Sequence, residues 1–212
     1  MRYKENVVAM GFEMDGIEFS PETLTTFPQH AALLGEIVTS FSLVEGVVGG
    51  IYGLLRHQDI EAAIQELSNL STNSKRVQAV RIEMAKHPTL SQDPANDDLM
   101  KSILKYAEER NKVAHGVWGR HPNRSDIVYR LPVKKWITFV ASIVAAGTAG
   151  ESIEKVEELA SHIEEYSIAA LQTLKSEGAM MLEGTLNLLN FLAREAATAD
   201  GWIEDGDEIS TP

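Results

Sequence analysis

The chain has no cysteine in 212 residues. That removes disulfides, thiolate zinc sites and cysteine nucleophiles together, and makes the cytosol the expected compartment. Long hydrophobic runs are scarce as well. The start, MRYKENVV, shows none after its basic residues, and Ile137–Gly147, read as the longest candidate, is too short to span a bilayer, so no membrane anchor is expected. The histidines make no HxH or HExxH spacing, and there is neither a P-loop nor a GxSxG elbow, so the sequence points to no metal and no cofactor. Positive charge is also in short supply. A net charge of −12 argues against a protein that coats nucleic acid, because such binding depends on neutralising phosphates with Lys and Arg.

What cations there are cluster. From Lys101 to Lys135 nine cations face three anions, a local balance of +6 that leaves −18 for the rest of the chain. A basic segment on an acidic body suggests a small anionic ligand or a local RNA contact, or else simply a solvated helix and hairpin. The 44% of hydrophobic residues suffices for a core, and the pattern is mainly helical. Residues 1–28 read as an N-terminal arm in which Asp15-Gly16 suits a tight hairpin turn. Helices are expected over about 29–57, 60–70 and 74–86, the last ended by His87-Pro88. A fourth should run from Asp97 to His115, closed by Gly116 in a left-handed conformation. In the first helix the glycines 46, 49, 50 and 53 allow close approach of a neighbour, and Glu45 is the charged member of an apolar stripe.

Beyond the fourth helix, 117–136 reads as a short β insertion around the alternating Asp126–Arg130, and 137–146 as strand or helix. Two helices follow, about 151–178 and 179–197, broken near Gly178. The acidic tail 201–212 has a disordered composition. The fold class is therefore mainly α, a helical bundle over 29–200 with a short β insertion after the motif helix.

The sharpest local signal is Glu109-Arg110-Asn111-Lys112-Val113-Ala114-His115-Gly116-Val117-Trp118. An Arg followed a turn or more later by His is weak alone: roughly one match is expected by chance, and Arg81 with His87 is a second one, in a polar stretch before a proline. Context separates the two. In the fourth helix Leu99, Ile103 and Tyr106 form one apolar row and Met100, Leu104 and Ala107 the next, and continuing these rows reaches Arg110 and Asn111. The motif is thus expected on an inward face, where a cation and an amide cost several kcal/mol unless they gain partners. Glu45, on its own apolar stripe, is the expected partner of Arg110, as a register-fixing ion pair or a supporting group.

The decapeptide resembles the RNxxxH signature of the HEPN superfamily, including the Asn directly after Arg. The resemblance implies a homodimer whose two motifs face each other, often a metal-independent ribonuclease, and a role in bacterial defence, a toxin–antitoxin pair with an antitoxin-like partner, or stress response. In such a site His115 would act as general base or acid, Arg110 would clamp the phosphate, and Asn111 would orient the histidine or the phosphate, leaving a 2′,3′-cyclic end. Lys112, Arg120 and Arg124 are candidate contacts to RNA phosphates, and Trp118 and Trp136 either stack on a base or belong to the core. The alternative is a non-catalytic HEPN interaction or nucleotide-binding module using the same residues, and a helical scaffold outside this family is a third reading.

Overall fold

The computed structural model describes residues 12–146 and 153–199, so the acidic tail 201–212 lies outside the described residues. The chain is mainly α with a small antiparallel sheet. Where the sequence suggested one domain over 29–200, contacts group the chain into two compact units, Met1–Val38 with Glu109–Lys175, and Thr39–Glu108 with Ser176–Pro212.

The first unit is built on the sheet. Strands β1 (Phe12–Met14) and β2 (Ile17–Phe19) form the expected hairpin, turned by Asp15 (φ 52) and Gly16 (φ 75), the paired left-handed residues that a two-residue turn requires. This hairpin is not a separate arm. β2 pairs with β3 (Gly116–His121), β3 with β4 (Arg124–Pro132), and β4 with β5 (Glu164–Ser167), giving one five-stranded sheet in the order β1-β2-β3-β4-β5. β2 and β3 approach closely at Gly119, where a Cβ would lie 2.8 Å from Ile17 and Phe19. Met14, Ile17, Phe19, Ile127, Tyr129 and Leu131 form the core of this unit, covered by Trp136 and Phe139 of α6 (Val133–Ala146) and Leu159 of α7 (Ile153–Ala160). The short helix α1 (Thr23–Thr26) links the hairpin to α2 (Pro28–Leu55).

Residues 137–146, open between strand and helix, are helical. Two expectations fail for tertiary reasons: the β element is larger than an insertion at 117–136, and a strand interrupts the helix expected over about 151–178. β5 is cut from the middle of an expected helix because it pairs with β4, with Tyr166 opposite Val128 and Glu164 bonded by Arg130, which overrides weak local propensity.

The second unit is helical. α3 (Ile60–Ser68) and α4 (Asn73–Met84) are capped by Asp59 and Thr72, whose side chains accept from the N–H of Ala62 and Lys75. α5 (Pro94–Ala114) starts three residues earlier than expected, with proline at its first position and the Asp93 carboxylate accepting from Ala95 N–H at 2.9 Å. α8 (Ile168–Ala199) runs straight through Gly178. That glycine is no break: a Cβ there would stand 2.2 Å from the Tyr106 hydroxyl, so it makes room for an aromatic ring. Gly49 and Gly53 likewise admit α3, with Ile64 and Ala63 against them, whereas Gly46 faces open space.

Among the described residues α2 is the helix long and apolar enough, by length and composition, to cross a membrane, with a mean hydropathy of 1.6 over its best window, where the sequence pointed to 137–147 as the longest apolar run. Ile37, Phe41, Val44 and Ile51 of α2 are fully buried, the use a core helix makes of such a stripe.

Candidate functional site

The rows of α5 hold as far as its last turns. Met100, Ile103, Tyr106 and Ala107 are buried, and Lys101, Lys105 and Glu108 face solvent. At the motif the rows diverge. Val113 stays buried and Arg110 is half-buried, but Asn111, Ala114 and His115 turn out to solvent. The expected inward cluster of three polar groups is therefore corrected: one row continues inside while its neighbour leaves the packed face as the helix ends. The Arg110 guanidinium donates to the Asn111 carboxamide oxygen at 3.1 Å, which ties the first two motif residues together on the helix surface.

His115 lies just past α5. Its N–H donates to the Asn111 carbonyl at 3.1 Å, and its own carbonyl accepts from Val133 N–H at 3.2 Å, so the backbone on both sides of the imidazole is fixed. Gly116 does not cap the helix in a left-handed turn; it opens β3, opposite Pro132. The capping is done by Arg130. Its side chain is 5% exposed, its Nε donates to the Lys112 carbonyl, and its Nη1 reaches Glu164 Oε2 at 2.8 Å. A guanidinium thus satisfies a C-terminal carbonyl of α5 that water or a left-handed glycine would otherwise serve. Gly116 is required for this, since a Cβ would lie 2.8 Å from Arg130 Cγ.

Behind the motif the polar network continues. Tyr166 donates to Glu164 at 3.2 Å and sets its ring edge-on to Trp118 at 5.5 Å. Burial, with the Glu164 charge nearby, pushes the Tyr166 phenol up to about 12. Burial also lowers the pKa of His30, which is 3% exposed, with Asp126 opposing the shift. Arg130, Glu164, Tyr166 and His30 were missed as a group by sequence reasoning. The alternation Val128-x-Arg130 was a usable signal, because it puts Arg130 on the same face of β4 as a buried valine.

Comparison with protein-family models, with curated proteins and with solved structures gives no match. The case for function rests on the site alone.

The remaining site residues each have an ion-pair partner. Glu45 pairs with Arg76 at 2.7 Å, because α4 brings Arg76 beside α2. Lys112 bonds Glu109 at 2.7 Å, and that contact raises its pKa. Arg120 gives two donors to Glu18 at 3.0 and 2.8 Å, and Arg124 sits 3.5 Å from Asp126 and 3.9 Å from Glu165. The +6 of the sequence segment is thus largely matched by carboxylates supplied from β2, β5 and α5. Among the described residues Lys105, Lys134 and Lys135 keep no ion pair, and no group of three metal-ligating side chains occurs. The arrangement offers an exposed imidazole, which can take or give a proton, one turn from a linked guanidinium and amide, which can bind a phosphate.

Proposed function

We propose that the chain is a HEPN-like, metal-independent endoribonuclease that works as a homodimer through a composite site of two RNxxxH motifs. The observation that carries this reading is the placement of Asn111 and His115 in solvent beside the hydrogen-bonded Arg110, on a helix end where a second copy's motif can meet them. The mainly α chain, with the motif closing a helix, supports the HEPN-like fold.

In this mechanism one His115 takes the proton from the ribose 2′-hydroxyl, and the oxygen attacks the adjacent phosphorus. The 5′-oxygen of the next nucleotide leaves with a proton from the second His115 as imidazolium, and a 2′,3′-cyclic phosphate remains. Arg110 holds the phosphate oxygens as charge builds on them, and Asn111 keeps the guanidinium in place. The resemblance further suggests a cytoplasmic role in defence, a toxin–antitoxin pair or stress response.

A second reading has a specific observation behind it. Lys112, Arg120 and Arg124 are engaged by carboxylates, and the chain carries −12, which together favour a non-catalytic interaction or nucleotide-binding module. Incubating the purified protein with total tRNA and mRNA in EDTA separates the two. The ribonuclease reading expects cleavage by the wild type and none by His115→Ala or Arg110→Ala; no cleavage by a folded, dimeric wild type selects the module.

A further inference from the structure

Immediately after His115 the chain forms one wall of a cavity of about 330 Å³ within the sheet-based unit. Gly116 and Val117 line it from β3, Phe12 and Phe19 from the hairpin, Ser20 and Leu24 from the segment after it, and Trp136 from α6. Three of these rings form a parallel stack. Phe12 lies 3.8 Å from Trp136 at 6° and 4.7 Å from Phe19 at 7°, although isolated aromatic pairs often settle edge-on. Phe12 stacks on both neighbours and Phe19 is buried, so Trp136, the partly exposed end of the stack, is the ring an incoming base can meet. The volume sits at the lower end of the range for small-molecule sites, about 300–1,000 Å³, which suits one planar heterocycle. Lys134 and Lys135 precede Trp136 on the first turn of α6. They are exposed and carry no ion pair among the described residues, unlike Lys112, Arg120 and Arg124.

We infer that this cavity receives one unstacked nucleobase of a single-stranded RNA, next to the phosphate held at the motif, and so selects where the strand is cut. The inference rests on the RNA reading of the motif. Its chemistry is that of single-strand recognition generally: an aromatic platform takes the base face, while cations beside it follow the backbone. Lys134 and Lys135 supply the cations. The Ser20 hydroxyl supplies a polar contact to the base edge, and the continuity of His115 with Gly116 sets the base within a nucleotide's reach of the imidazole.

The test uses the full chain and RNA oligonucleotides that are 2′-O-methylated throughout, so that they bind without being cut, each carrying 2-aminopurine at a single position. Stacking quenches this base. One position is expected to be quenched on binding, and Trp136→Ala should weaken the quenched complex by roughly five- to one-hundred-fold, the range that a lost base–aromatic stack produces. Trp136→Phe should retain it. Leu24→Trp, which fills the cavity without emptying the core, should abolish the quench even if Trp136→Ala folds poorly. Uniform quenching along the strand, or a quench that survives Leu24→Trp, overturns the inference. Cleavage of natural RNA without a position-specific quench overturns it while leaving the ribonuclease reading intact; quench without cleavage supports the cavity and removes the catalysis.

Discussion

Replacing Arg130 with methionine removes a guanidinium that is 5% exposed, caps α5 at the Lys112 carbonyl and binds Glu164. Breaking a fully buried ion pair from one side costs about 3–5 kcal/mol. Glu164, however, is 42% exposed and regains water, so the carboxylate contributes little of that penalty. What remains is a carbonyl left without its donor, about 1–3 kcal/mol, plus the loss of packing against Gly116. A net loss of about 2–3 kcal/mol follows, which for a chain of this length lowers Tm by about 5–10 °C. Glu164→Gln should cost under about 1 kcal/mol, because its carboxylate is the wet end of the pair. Urea and thermal unfolding followed by circular dichroism measure both. If Arg130→Met unfolds like the wild type, or Glu164→Gln costs more than Arg130→Met, the capping argument is wrong.

Gly178→Ala sets a Cβ 2.2 Å from the Tyr106 hydroxyl and should lose about 1–3 kcal/mol despite better helix propensity, while Gly46→Ala meets open space and should gain about 0.5–1 kcal/mol; denaturation midpoints compare them. His30 has its folded pKa below the ordinary 6.5, so the unfolded chain binds the proton more readily: this contribution is complete above 6.5 and is lost as pH falls below it. His30→Gln should flatten that part of the stability profile, and a titration of the His30 ring resonances that ends at or above 6.5 refutes the assignment. Glu45→Ala should lower stability by about 1 kcal/mol through loss of the Arg76 pair, with recovery in the swapped double variant Glu45→Arg, Arg76→Glu, read by urea denaturation.

Features fixed by local chemistry were legible. Asp15-Gly16 marked a turn because that turn needs two residues with positive φ, and the inward rows of α5 followed from helical period alone. Features decided by distant partners were not. β5 exists because Glu164 meets Arg130, and Gly178 sits in mid-helix because Tyr106 fills the space that a propensity argument reads as weakness. Glu45 was singled out as a charge needing a cation, yet that Arg76 supplies one depends on α4 lying beside α2. At the motif, periodicity gave the rows but not the place where they part, so Asn111 and His115 were expected inside and lie outside.

The central claim is that the two copies of His115 do acid–base chemistry on RNA, and the 3′ ends of the cleaved RNA test it most directly. With EDTA present, the account predicts fragments from the wild type that end in 2′,3′-cyclic phosphate, and no such ends from a folded His115→Ala. Fragments with free 3′-hydroxyls, or cyclic-phosphate ends produced equally well by His115→Ala, would contradict it.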